Sequence, residues 1–211
     1  MTTRRAVVAD DVYATINDRR WELEGGLREG TLDPQKVLSG LQQLIESCSW
    51  PKFSVWRTIR HVGKRNAESY RAGLAAVGCR VSEWANDLLG RFETTSIDEE
   101  VDLGLASVAD IGFKEATRYD VICSRIMVYG GTLCLPEDGP VLREQYLDQP
   151  MNERVRLAMN PIRDAFRDLI IFSVEHGGHG LWLDRYCGYP VDLWHLDDWF
   201  VFRLSKRPLV L

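Results

Sequence analysis

The chain has 211 residues, 45% hydrophobic and 27% charged, enough apolar material for one large core or two small ones, which excludes disordered and fibrous classes. Its formal net charge is -5 at pH 7, and Lys and Arg are scattered rather than gathered in runs, so the electrostatic footprint of a nucleic-acid partner is missing. The apolar run Ala6 to Ala9 is too short for a secretion signal, nothing approaches the ~18 apolar residues of a membrane span, and the five cysteines lack any C-x-x-C pair; the expectation is a cytoplasmic protein whose cysteines are mostly small core hydrophobes.

In chain order, the stretch from Val12 to Arg28 has helical polarity and is interrupted by Gly25-Gly26. "LDPQKVLSGLQQLIES" predicts an amphipathic helix, with Asp33 as N-cap, Pro34 at the first position, and Val37, Leu38, Leu41, Leu44 and Ile45 on one face. "SVWRTI" reads as a short strand. "NAESYRAGLAAVG" is a helix with Tyr70, Leu74 and Val77 on one face and Gly78 as its stop. "SEWANDLLG" repeats the logic, with Ser82 as cap, Trp84, Ala85, Leu88 and Leu89 buried, and Gly90 as stop. Residues 1–92 therefore read as a mainly helical region, bounded by the polar stretch 93–100.

Beyond that boundary the period changes. "VDLGLASV" alternates as a strand. "TRYDVICSRIMVYGG" reads as a helix opening on Thr117, with Asp120 three residues on and Ile122, Ile126 and Tyr129 buried. "GPVLREQYL" reads as a shorter helix begun by Pro140. "RVRLAM", "LIIFSV", "LWL" and "WFVFRL" then read as strands. The second half, 100–211, is expected to be an α+β domain, a strand-helix-helix unit followed by antiparallel strands, with the helices on one side of the sheet. The same element order occurs in C-type-lectin-like domains.

The candidate chemistry lies near the C-terminus. His176 and His179 have H-x-x-H spacing, with Cys187 and His195 as further zinc-type donors. The glycines around them, however, favour a plain hairpin turn with both side chains in water. An acid-base site assembled from His176, Asp184, His195 and Asp197 would need convergence that spacing does not supply. Asp192, Asp197 and Asp198 could offer carboxylates to calcium, but such residues more often solvate a loop. No metal or other cofactor is therefore expected.

What remains is the composition of "DRYCGYPVDLWHLDDW", residues 184–199, where Tyr and Trp supply contact area at small entropic cost and Arg185 adds bidentate contacts. Trp182, Trp194 and Trp199 read as plugs of the core. The predicted ligand-binding set is Asp184, Arg185, Tyr186, Tyr189, Asp192, Leu193, His195, Asp197 and Asp198, on a surface loop.

Several motifs also carry a resemblance. "SVWRTIRHVGK", "RVSEWANDLLG", "VDLGLASVADIGFKEATRYDVI", "LCLPEDGPVLREQYLDQP", "LAMNPIRD", "FSVEHGGHGLWLD" and "WFVFRLSK" together resemble an uncharacterised family of candidate-phyla bacteria over residues 54–207. Its members vary in the tail between the G-x-W-L and F-V-F motifs, which is similar to the target region of diversity-generating retroelement variable proteins; here that tail is Asp184 to Asp198. "MVYGGTLCLPEDGP" and "PIRDAFRDLI" depart from the family pattern. No activity comes with the family; the composition of 184–199 and the variable tail together give the expectation of a non-enzymatic protein that binds an unknown protein or surface ligand through a diversified C-terminal surface, with self-association left open. The alternative is a small enzyme or toxin acting on nucleic acid through the His and Asp residues. A third reading makes the helical half an interface in a larger complex.

Overall fold

The computed structural model describes residues 10–47, 53–94 and 98–204. They fall into two compact units divided between residues 50 and 51. The first contains α1 (Asp10–Arg28) and α2 (Pro34–Ser47). Asp33 Oδ1 accepts from Gln35 N at 2.9 Å, the cap that the sequence predicts. Gly25-Gly26 does not interrupt α1. A Cβ on Gly26 would lie 2.6 Å from Leu32, and Gly26 O accepts from Thr31 N and Leu32 N; the glycine is there to let the turn close onto the helix.

The second unit is an α+β fold. It contains β1 (Arg57–His61), α3 (Ala67–Ala76), β2 (Arg80–Val81), α4 (Glu83–Leu89), β3 (Glu99–Ser107), β4 (Thr117–Arg118), α5 (Tyr119–Val128), β5 (Gly131–Thr132), α6 (Asp138–Gln145), β6 (Arg154–Leu157), β7 (Ile162–Arg163), β8 (Leu169–Gly177), β9 (Gly180–Cys187), β10 (Leu193–Trp194) and β11 (Trp199–Leu204). The expected boundary at 93–100 does not separate two units. β1 pairs with β3 and β2 with β9, so residues 57–89 supply both ends of the sheet. Helix-forming sequence on one side of a polar stretch says nothing about which sheet its short strands will join.

The strand order is β1-β3-β11-β6-β8-β9-β2, with β5 on β11 and β7 on β8. The sheet is mixed rather than antiparallel, since β6 runs parallel to β11 and β2 parallel to β9. Cross-strand partners share a face, so Phe200, Arg156, Ser173 and Asp184 form one row. Phe200 meets Tyr119 of α5 and Trp194 of β10 on that face, at 6.0 and 5.0 Å between ring centroids. Phe172, one residue along β8, projects to the other face, where a Cβ on Gly139 of α6 would lie 2.8 Å from its ring. The helices thus cover both faces, correcting the one-sided arrangement, and the long apolar run of β8 is buried on both sides for that reason.

Local signals hold at most helix ends. Asn66 and Ser69 form a capping box on α3, and Ser82 Oγ accepts from Ala85 N at 3.1 Å to start α4. Thr117 does not open α5. It pairs with Trp194 in the β4–β10 ladder, and the helix begins at Tyr119. Ile122 and Ile126 are buried as predicted, while Tyr129 is only half-buried and Val77 of the α3 face is exposed. Cys79, Cys123 and Cys134 are buried, Cys187 is exposed, and Cys48 lies outside the described residues.

α6 carries the densest polar contacts of the interior. Fully buried Asp138 accepts from Arg203 Nε at 2.6 Å, from Arg203 Nη2 at 2.8 Å and from His61 Nε2 at 2.9 Å. Burial pushes its carboxyl up, but Arg203 and His61 outweigh that and hold it below the usual carboxylate range. Buried Arg143 donates to Gln149 Oε1 and to the carbonyls of Tyr146 and Glu175. At the end of α6, the Gln145 amide accepts from Arg60 N at 3.0 Å and donates to Arg60 O at 2.8 Å, standing in for a further strand along β1. No described helix is long and apolar enough to cross a membrane.

Candidate functional site

The nominated residues lie along β9, the turn that follows it, and β10. Asp184, Arg185 and Tyr186 are not loop residues. They continue β9, opposite Ser173, Phe172 and Ile171, because the apolar run of β8 extends far enough to keep pairing. Gly188 then turns the chain. Its N donates to Leu169 O at 2.8 Å, and a Cβ there would lie 2.7 Å from Ile171.

The turn itself is braced by carboxylates. Asp192 Oδ2 accepts from Tyr189 N at 3.3 Å, and Asp198 Oδ2 accepts from His195 N at 2.8 Å; each carboxylate reaches back three residues to a backbone N–H. Tyr189 is half-buried, with its hydroxyl donating to Asp168 Oδ1 at 2.6 Å. The Asp184 carboxylate accepts from Arg185 N at 2.8 Å. Three of the nine nominated residues, Asp184, Asp192 and Asp198, therefore brace the backbone through their carboxylates.

The outward side chains alternate with anchors. Val191 and Leu193 are 63% and 65% exposed, and His195 and Asp197 are also exposed, whereas Trp194 between them is 3% exposed. Trp194 stacks against Tyr186 at 4.8 Å between centroids, and Arg156 lies over both rings at 5.0 and 5.2 Å. Asp198 Oδ1 closes the stack by accepting from Arg156 Nη1 at 2.8 Å. Arg156 Nε and Trp194 Nε1 remain buried donors without a partner.

Next to the stack is an open cleft of about 560 Å³, lined by Asn152, Arg154, Arg156, His176, Asp197 and Trp199, among others. Trp194 is a core plug as predicted, Trp182 is half-buried, and Trp199 is not a plug but a cleft wall. His176 Nδ1 donates to Gln149 O at 2.6 Å, which leaves Nε2 as an acceptor in the neutral ring.

The histidines do not gather. His179 sits in the tight turn closed by Gly177 and Gly180, where Gly180 has φ +105. Cys187 is at the far end of β9, about 23 Å from Gly180 at ~3.3 Å per residue, too far to share an ion with His179. Among the described residues no three His, Cys, Asp or Glu side chains form a metal-ligand group. His176 and Asp197 share the cleft, while Asp184 and His195 do not line it.

No protein-family model, curated protein or solved structure matches this chain.

Sequence reasoning missed several residues of this surface. Trp84, expected in the core, is 42% exposed and is met by Phe166 at 5.6 Å and by Arg185 over its ring at 4.7 Å. The helix face that packs inward is Ala85, Leu88 and Leu89, and Trp84 overhangs its edge. Phe166 gave no periodic signal because it sits in a turn whose N–H groups are held by Asp164. Arg156 read only as the polar half of an alternating strand.

Proposed function

We propose that this protein is a non-enzymatic binding protein whose recognition surface is built from β9, the turn at 188–198 and the adjoining cleft. The observation that carries this reading is the alternation at 191–195: anchors pointing in, exposed side chains pointing out, on a backbone held by Asp192, Asp198 and the β4–β10 ladder. Such a frame keeps its shape whatever the outward residues are, which is what a diversified surface requires. The resemblance to diversity-generating retroelement variable proteins, and to C-type-lectin-like domains, belongs to this proposal and rests on the same span. Large rigid rings beside an Arg are the usual sources of binding energy at protein interfaces.

A library randomised at Val191, Leu193, His195 and Asp197 tests the frame. Most members should keep the parent's thermal unfolding midpoint; if they unfold as readily as a Trp194→Ala variant, the surface is structural. Sequencing the locus tests the diversification. A reverse transcriptase beside a near-copy of the 184–198 coding stretch, differing at adenines, supports it, and a locus with neither removes it.

The enzyme reading is less favoured because no hydrogen bond joins any two of His176, Asp184, His195 and Asp197 among the described residues. One observation does support the interface reading of the helical unit: Trp21, Leu38 and Leu41 are exposed there. If a second copy covers them, Leu38→Glu with Leu41→Glu lowers the sedimenting mass.

A further inference from the structure

We infer that the cleft beside the Arg156 stack takes a guanidinium group, presented as an arginine side chain of a partner protein. The inference rests on reading the cleft as part of the recognition surface and names the chemistry it recognises. The lining carries four carboxylates, Glu153, Glu175, Asp197 and Asp198, against two guanidinium groups. Both of those cations are engaged: Arg154 pairs with Glu175 at 2.7 Å, and Arg156 with Asp198 at 2.8 Å. Glu153 accepts from the Tyr146 hydroxyl at 2.6 Å, and neither it nor Asp197 makes an ion pair among the described residues. The cations farther out do not fill the deficit. Arg57, over the Tyr146 ring, is held by Asp148. Arg80 lies on Trp182 in β2, two strands from Glu175 and so about 10 Å away at ~4.8 Å per strand. On the same sheet face Asp184, which makes no ion pair among the described residues, offsets Arg80.

Two observations independent of the charge point to the same ligand. His176 Nδ1 donates to Gln149 O at 2.6 Å, and because a carbonyl only accepts, Nε2 of the neutral ring is an acceptor. No described residue donates to it. Trp199, on the wall of the cleft, is 40% exposed and offers an indole face on which a planar cation can lie. The chain already builds this arrangement once, where Arg156 lies over the Tyr186 and Trp194 rings with Asp198 on its guanidinium.

Other ligands fit less well. Among the described residues no three His, Cys, Asp or Glu side chains come together to hold a metal ion, so the acceptors need a ligand that spans them. An anion would meet the unpaired carboxylates, while Arg156 Nε is buried and gives it no donor. A neutral sugar would use the ring and the acceptors but leave the charge of Glu153 and Asp197 uncompensated. A guanidinium is flat enough for the indole and spreads five N–H donors over several acceptors, which a compact ammonium does not. Asp197 is one of the outward positions, so the preference belongs to this sequence rather than to the frame.

The test titrates the ¹⁵N-labelled full chain with acetyl-Gly-Arg-Gly-amide up to about 10 mM, beside the citrulline tripeptide, which keeps the shape without the charge, the lysine tripeptide and methyl glucoside. The arginine peptide should shift the Trp199 indole and Gly177 amide signals saturably and bind more weakly as salt rises, with each of the others at least about tenfold weaker. Asp197→Asn and Trp199→Leu should each weaken it about fivefold or more with the unfolding midpoint kept, and Leu193→Ala, outside the cleft, should leave it unchanged. If Trp199→Leu lowers the midpoint, Asp197→Asn decides alone. Absence of saturable shifts, equal binding by any of the other three ligands, or indifference to Asp197→Asn would each overturn the inference. The parent reading fails separately, through the library at Val191, Leu193, His195 and Asp197: a frame that unfolds ends that reading, whereas a frame that holds while the arginine peptide stays unbound ends only this one.

Discussion

Two regions of this protein are rich in charge and aromatic rings, and they use them in opposite ways. Around α6, Asp138, Arg203, His61, Arg143 and Gln149 direct most of their hydrogen-bonding groups at one another or at carbonyls, with Arg143 Nε left without a partner. At 184–199, the aspartates fix the backbone and one Arg holds the stack, while Val191, Leu193, His195 and Asp197 face outward. The contrast teaches that polar composition does not distinguish a core from a surface. What matters is whether each group's partners lie within the fold.

The contrast can be broken most strongly at Asp138. Asp138→Ala removes the buried carboxylate that pairs with Arg203, which keeps only Glu99 at 3.5 Å, and should cost about 3–5 kcal/mol in urea unfolding. The same residue sets an acid limb. Its folded pKa is depressed, so its contribution is complete above the ordinary carboxylate value of about 3.9 and is lost as pH falls through the lower folded value. Asp138→Asn should flatten stability below about pH 4; an unchanged acid limb would remove the network from that role.

Trp194→Ala comes next, at about 3 kcal/mol for a buried indole. Its neighbour sharpens the comparison, because Leu193→Ala should stay within about 0.5 kcal/mol; equal losses at the two positions would contradict the alternation. A smaller effect appears at alkaline pH. Burial pushes the Cys123 thiol up to about 11, so the stability it contributes is complete below the ordinary thiol value and lost as pH rises through the folded one. Cys123→Ala should blunt that alkaline loss in a stability-against-pH series. The smallest perturbation is alkylation. Cys187 should react within minutes with no change in unfolding midpoint, while Cys79, Cys123 and Cys134 should resist until denaturant is added.

Much of the helix pattern was legible because its signals are local. Asp33-Pro34, Ser82 and the run Ala85, Leu88 and Leu89 act within a turn or two, and each appears where the spacing placed it. The hairpin at Gly177–Gly180 was legible for the same reason. Thr117 misled because its N-cap chemistry competes with a ladder to Trp194, a partner that spacing along the chain does not reveal. Of the candidate site, the outward positions Leu193, His195 and Asp197 were within reach of composition. Arg156, Trp84 and Phe166 were not, because their roles come from elements distant in sequence that meet at β9.

The amino-acid order thus determined most of the helices, the longer strands and the α+β class, since periodicity and capping are properties of neighbouring residues. Only the tertiary structure decided that β6 lies parallel to β11, that helices cover both sheet faces and that residues 57–89 join the sheet at both ends. It also decided which carboxylates would brace a turn. Those outcomes depend on which distant groups meet once the core closes, and the free energy of pairing or burying a charge is set by that meeting rather than by the residue itself.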